Sequence, residues 1–181
     1  MNIDKKQLKI AKNYAEALFK IGKEQNSADK LYSQLKNVIE IIRNSNELKG
    51  FFENPLISSN DKKEIIYKIF GKDFDLQIIN ILNLLADNKR MELIGTVYYC
   101  FEGLYENMSN IKRVSVTSAI ELSSDNKNRL EKILEIKTGS KILPTYKIKK
   151  EIVGGLIIKI GDKKIDLSLA SKINNMEKQL I

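Results

Sequence analysis

Residues 152–169 read IVGGLIIKIGDKKIDLSL, and this stretch decides the fold of the C-terminal part of the chain. It holds a Gly-Gly pair, a dense β-branched run, a tight turn and a helix start. Gly154 and Gly155 interrupt an otherwise strand-like run, which marks a bulge or a close approach of two backbones. After a turn at Gly161-Asp162, Ile165 and Leu167 alternate with Asp166 and Ser168 at the period of a half-buried strand. Ser168 then stands at the N-cap position of a last helix. Asp166 and Ser168 have no base near them in sequence. Their expected roles are hydrogen bonds that close the hairpin and cap the helix.

Working upstream, Lys112–Ala119 is a strand candidate, with Val114, Val116 and Ser118 alternating against Arg113, Ser115 and Thr117. Ser123-Ser124-Asp125 can cap a helix carrying Leu130, Ile133, Leu134 and Ile136, closed by Gly139. Lys141–Lys149 is a second strand, and Pro144 inside it argues for an edge position. After the Gly-Gly hairpin comes a helix with Leu169, Ile173, Met176 and Leu180 on one face. Residues 111–181 therefore read as a small α+β domain.

Before Asn110 the texture is helical. Leu8, Ala11, Tyr14, Ala15, Leu18 and Ile21 mark the first helix, and Leu31, Leu35, Val38, Ile39 and Ile42 the second. A short third segment stops before Asn54-Pro55, because proline lacks an N–H and restricts its predecessor. Ser58 or Ser59 can cap a fourth, Phe74–Asp87 is a fifth and Met91–Met108 a sixth. Connections of a few residues make neighbours antiparallel, so residues 1–107 read as a six-helix bundle. The expected class is α+β, mainly α.

Two helices are too apolar for an ordinary surface position, which needs an arc of little more than ~100°. The apolar and small residues of the first helix cover roughly twice that arc at ~100° per residue, and Phe74–Ala86 on the fifth do the same. Either both helices are central in the bundle, or one edge of each arc forms a shared groove for an amphipathic partner helix.

Composition removes several function classes. The chain has 181 residues with no histidine and one cysteine. The usual general base and the commonest metal ligand are thus missing, and a zinc site would need carboxylates alone. The glycines match neither a phosphate loop nor a dinucleotide fingerprint. Cys100 lies among Val97, Tyr98 and Phe101, where inert packing is expected. A single cysteine fits a reducing compartment. The opening MNIDKKQLKIAKNYAEALF has no secretory apolar core and reads as helix, and no apolar run is long enough to span a membrane. An enzyme is not expected, and neither is a cofactor.

Charge is unevenly placed. Residues 1–107 hold 16 Lys+Arg against 15 Asp+Glu, whereas residues 108–181 hold 15 against 8, a net of +7. A basic C-terminal half suits an acidic protein partner, an anionic surface or nucleic acid, or is simply a solvated lysine-rich face. Its aromatics do not interleave with the cations as base-stacking platforms would, which disfavours single-strand binding.

The order of these features resembles the delta subunit family of bacterial F-type ATP synthase, whose mitochondrial relative is the oligomycin sensitivity-conferring protein. Tyr14-Ala15-Glu16-Ala17-Leu18-Phe19 is similar to the family's YAxALF, and Phe51-Phe52-Glu53-Asn54-Pro55-Leu56-Ile57 to its FFxNPLI. Leu84 to Arg90 resembles LLAxNxR, and Val116-Thr117-Ser118-Ala119 with Leu122-Ser123 resembles VTSA followed by LS. Ile152 to Ser168 is similar to IxGGLxxxxGDxxxDxS, with Gly154, Gly155, Asp166 and Ser168 as its structural motif. The chain departs from the family in carrying Lys149 and Lys150 before Glu151, where an acidic residue and a proline are usual.

The resemblance implies a non-catalytic stator part that ties the catalytic hexamer to the membrane-anchored stalk. Its helical domain would bind N-terminal segments of the alpha subunits through the first and fifth helices, with Tyr14, Ala17, Asn80 and Leu84 as contacts carried over by position. Ile21 and Ile81 join them from helical geometry. The C-terminal domain would meet the end of the b-subunit stalk. Membrane association would be indirect, at the cytoplasmic face of a bacterial membrane or the stromal face of a thylakoid. The alternatives are a helical adaptor for another partner, or an RNA-binding module using the basic half.

Overall fold

The computed structural model describes residues 4–179. They divide between Tyr105 and Glu106 into two compact units. In the first, α1 (Lys5–Glu24), α2 (Ala28–Asn44), α3 (Asn46–Glu53), α4 (Ser59–Phe70) and α5 (Leu76–Asp87) precede a short 3-10 turn, Met91–Leu93, and α6 (Ile94–Met108). The expected fold class is therefore the observed one, with the 3-10 turn taking the first residues assigned to the sixth helix.

Local chemistry sets the helix ends. The Ser45 hydroxyl accepts the Leu48 N–H at 3.1 Å and opens α3. Ser58, rather than Ser59, caps α4 by accepting the Asp61 N–H at 3.2 Å. The Ser59 hydroxyl instead donates to the Ala86 carbonyl at 3.0 Å and ties α4 to the end of α5. Ala11, Ala15, Leu18, Leu35, Val38, Ile66, Phe70, Leu82, Leu85 and Phe101 fill the centre of the bundle. Phe19 meets Phe101 edge-on at 5.8 Å, and Tyr32 stacks on Tyr105 at 4.3 Å. The Tyr98 hydroxyl donates to Glu102 at 2.6 Å, and burial together with that carboxylate raises the Tyr98 pKa far above its ordinary value.

One buried charge organises the turn after α3. Lys62 is 5% exposed, and its Nζ donates to the Phe52 carbonyl at 2.7 Å and the Asn54 carbonyl at 2.9 Å. These are carbonyls that a helix C-terminus leaves without intrahelical partners. The sequence signal was available: Lys62 precedes Ile66 and Phe70 at four-residue spacing on the buried stripe of α4. Lys62→Met keeps the stem and removes the donors. It is expected to cost about 2–3 kcal/mol, as for hydrogen bonds from a charged group, read as a lower urea midpoint at unchanged slope. An unchanged midpoint would show that the two carbonyls find other donors.

The second unit is built on a four-stranded sheet in the order β2-β1-β3-β4, from β1 (Ile111–Ser118), β2 (Lys141–Ile148), β3 (Leu156–Ile160) and β4 (Lys163–Asp166). β1 and β2 run parallel, joined through α7 (Ser124–Thr138). β3 is antiparallel to β1 and forms a hairpin with β4. β2 is an edge strand, as Pro144 required. Ser123 caps α7, and Gly139 at φ 62° closes it in the left-handed conformation. α8 (Leu169–Gln179) ends the described chain; Leu180, expected on its apolar face, lies outside the described residues.

Among the described residues, one face of this sheet carries the core. Val114 and Val116 of β1, Ile142 of β2 and Ile158 of β3 pack with Leu134 of α7. The Tyr146 hydroxyl donates to Glu131 of α7 at 2.8 Å, and burial with this carboxylate pushes its pKa up to about 12. Ile165 pairs with Ile158 and so points to the same side, yet it and Leu167 are about half exposed. The half-buried strand expected there is thus an exposed edge strand. A helix ~10 Å across covers about two strand spacings of ~4.8 Å, and β4 lies beyond that reach.

Candidate protein-binding surfaces

α1 and α5 are neighbours and antiparallel. Gln77 at the start of α5 donates from Nε2 to Gln25 Oε1, just past the end of α1, at 2.7 Å. At the opposite end, Arg90 reaches the Tyr14 hydroxyl at 3.5 Å. With equal rise along both helices, Leu84 falls level with the stretch between Ala17 and Ile21, and Asn80 between Ile21 and Gln25. At ~100° per residue, Tyr14, Ala17, Ile21 and Gln25 share about 80° of the α1 surface, and Gln77, Asn80 and Leu84 about 60° of α5. The polar pairs at the two ends place these flanks against each other.

The expected contact residues divide by burial. Ile21 is 39% exposed and Leu84 50% exposed, and Ala17 and Asn80 are also exposed. Tyr14 is half-buried and packs on the bundle core. Ile81 is different: at 5% exposure it belongs to the core and cannot line an open groove. Its wheel position lies between the Leu84 flank and the Ile78–Leu85 core face, and it packs with the core. The remaining five form a shallow strip with apolar Ile21, Ala17 and Leu84 along its length. Most of each overloaded arc is therefore core, and one edge of each stays exposed.

The opposite flank of α1 holds a feature that sequence periodicity did not reveal. Leu8 lines a half-open cavity of about 410 Å³ with Ile42, Phe52, Met91, Ile94 and Tyr99. Its walls come from four separate segments, so no single helical pattern announces it.

The hairpin motif does what its residues predicted. Gly155 has φ 79°, and a Cβ there would land on the Leu167 carbonyl oxygen and lie 3.2 Å from Ser168 Cα. A Cβ on Gly154 would meet Leu169 Cδ1 at 2.8 Å. The pair exists because the chain returns against itself: the Leu167 N–H donates to the Leu156 carbonyl at 2.8 Å and the Leu169 N–H to the Gly154 carbonyl at 2.9 Å. Asp166 Oδ1 accepts the Ser168 N–H at 3.1 Å and the Ser168 hydroxyl at 2.7 Å. The Ser168 hydroxyl accepts the Ser171 N–H at 3.2 Å, an N-cap of α8.

Those bonds from Ser168 hold the Asp166 carboxyl well below the usual carboxylate range. The unfolded chain therefore takes up the proton first. The stabilisation is complete above the ordinary value of about 4 and is lost as pH falls through the lower folded value. Protection of the Ser171 and Lys172 amides is expected to persist at pH 4 and decline only below it, and Asp166→Asn should abolish that decline. A midpoint at the ordinary carboxylate pKa would show that Ser168 does not hold the charge.

No group of three or more His, Cys, Asp or Glu is placed to hold a metal among the described residues. Burial pushes the Cys100 thiol above its ordinary pKa, away from the thiolate form. No helix among the described residues is long and apolar enough to cross a membrane. What distinguishes this chain is a helical bundle with an open apolar edge, joined in sequence to a basic α+β unit: the makings of a subunit that works by contact with other chains.

Comparison with known proteins gives that class a family. Residues 10–180 match the family model described as ATP synthase delta (OSCP) subunit. The chain is 35% identical over 164 residues to ATP synthase subunit delta of Prochlorococcus marinus (strain MIT 9301), covering 90% of this chain and 91% of the relative. It is 36% identical over 169 residues to ATP synthase subunit delta of Fusobacterium nucleatum, covering 93% and 97%. A chain of the Toxoplasma gondii mitochondrial ATP synthase hexamer shares the fold, with a TM-score of 0.72 at 20% identity over 94% of this chain and 96% of that one. The chain belongs to the ATP synthase delta (OSCP) subunit family.

Proposed function

We propose that the chain is a non-catalytic stator subunit of F-type ATP synthase that links the catalytic hexamer to the peripheral stalk. In this reading the helical unit binds N-terminal segments of the alpha subunits along the α1/α5 strip. The C-terminal unit meets the membrane-anchored b subunit at the end of its stalk. The observation that carries the reading is the strip itself: Ile21 and Leu84 stand open within one helical turn of each other's level on adjacent antiparallel helices, flanked by Ala17 and Asn80. Such a surface fits the apolar face of an amphipathic helix.

The mechanism is mechanical. Torque from the rotating shaft acts on the hexamer, so rotation yields ATP only if the hexamer is held. A subunit with two separate binding faces does this without chemistry of its own, and engagement of one face raises the effective concentration for the other. The chain would sit at the membrane's cytoplasmic or stromal face, attached only through its partners.

The direct test is titration of a peptide copying the alpha-subunit N-terminus into the full chain by calorimetry, with chemical-shift mapping. Saturable heat and shift changes at Tyr14, Ile21 and Leu84 are expected. Absence of both would overturn the assignment of this strip.

A further inference from the structure

The sheet of the second unit has a face that α7 does not cover. Residues opposite Val114, Val116, Ile142 and Ile158 in the pleat point away from α7, and the register sets their neighbours. Ser115 lies between Thr145 and Lys159, Lys159 pairs onward with Lys164, and Thr117 lies between Lys147 and Ile157. Although β1 is a central strand, Ser115 and Thr117 remain partly exposed, and Lys147 and Lys159 are exposed. α8 packs against the Lys150–Ile152 turn, and Ile173 and Met176 on it are exposed.

Charge is sorted onto this face. Of the seven Lys and Arg in the strands, Arg113, Lys141, Lys147, Lys159 and Lys164 point to the open side, and only Lys112 and Lys163 to the α7 side. Arg113 is held by Glu106 at 2.6 Å and Lys164 by Asp166 at 3.2 Å. Lys141, Lys147 and Lys159 make no ion pair among the described residues.

The arrangement also has a shape. Ser115 and Thr117 give β1 a low floor, and long lysines rise from β2 and β3 on either side. Those two strands flank β1 and so stand ~9–10 Å apart, close to the ~10 Å width of an α-helix. Open cations on both walls call for carboxylates on the occupant. The cationic walls also disfavour a purely apolar occupant.

We propose that this trough is the seat of the stalk: an acidic helical segment at the end of the b subunit lies along β1 over Ser115 and Thr117, between Lys147 and Lys159. This rests on the stator reading and adds to it the face, the orientation along the strand and the chemistry of the partner. Neither α7 nor α8 makes the contact.

The test uses the full chain and a soluble C-terminal fragment of the b subunit from the same organism. Lys147→Glu/Lys159→Glu is expected to weaken binding by about a hundredfold, as two interfacial charge reversals do, with a neutral Lys147→Gln/Lys159→Gln variant in between. Wild-type binding should weaken steeply with salt, and this dependence should flatten in the double variants. Lys132→Glu/Lys137→Glu on α7 and Ile173→Asp on α8 should change affinity less than about twofold, as surface changes outside a contact do. Circular dichroism establishes that each variant is folded. Loss of binding only in the α7 or α8 variant would overturn the proposal and leave the stator reading intact. Absence of wild-type binding to the fragment would count against both. Equally tight binding of single-stranded RNA, lost in the same double variant, would make the face a general polyanion surface and overturn the proposal.

Discussion

Gly155→Ala is expected to destabilise the C-terminal unit by about 3 kcal/mol, from two independent causes. A residue with a Cβ pays about 1–2 kcal/mol to hold the left-handed region, which Gly155 occupies at φ 79°. The added methyl also lands on the Leu167 carbonyl, and overpacking of a closed site costs about 1–3 kcal/mol. That carbonyl cannot simply retreat. The Leu167 and Leu169 N–H groups are bonded to the Leu156 and Gly154 carbonyls, so moving the 167–169 segment breaks the ladder that holds the hairpin against β3. In hydrogen exchange the amides of β1 and β3 should open roughly a hundredfold more often, while those of α2 and α5 keep wild-type protection. Gly103→Ala on α6 is the contrast: nothing lies within 4 Å of its Cβ, and helix propensity alone predicts a gain of up to about 1 kcal/mol. Unchanged β1 and β3 exchange in Gly155→Ala would mean that the backbone pair separates without cost.

Leu84→Asp is expected to reduce affinity for the alpha-subunit peptide at least about a hundredfold without unfolding the bundle. Losing a well-buried leucine anchor is worth about 1.5–3 kcal/mol, and the carboxylate left under an apolar helix face adds its own desolvation cost. Leu84 is half exposed in the free chain, so the fold does not depend on it. Ile81→Asp, three residues earlier, should unfold the bundle instead, because Ile81 is buried among the core residues. The two variants together separate a binding defect from a folding defect. If Leu84→Asp binds normally and Leu8→Asp does not, the peptide occupies the cavity on the opposite flank of α1 and the assignment of the strip is wrong.

These two variants mark the limit of one-dimensional reading. Gly155 was legible: a glycine pair inside a β-branched run has few explanations, and the near contact with Leu167 is one of them. Leu84 and Ile81 were not separable, because both lie within an apolar arc that is wider than one contact needs. Only the packing of the bundle buries one and leaves the other open. Ile165 and Leu167 show the same limit on the sheet. Ile165 does lie in a strand, which ends at Asp166 before Leu167, but whether a strand is half-buried depends on how far a helix from elsewhere in the chain extends across it. Lys62 was missed for a related reason. A lysine on a buried stripe reads as an interruption until two helix-terminal carbonyls are seen to need its protons.

Sequence alone determined the elements and their order, since periodicity, caps and chain breaks act within a few residues and need no distant partner. It also determined the family, through blocks spread from Tyr14 to Ser168. Tertiary structure alone decided which surfaces remain free. The open edge of α1 and α5 and the uncovered basic face of the sheet are what is left after distant segments have packed. Burial of this kind is set by which elements meet in space, and neighbouring residues in the chain carry no record of it.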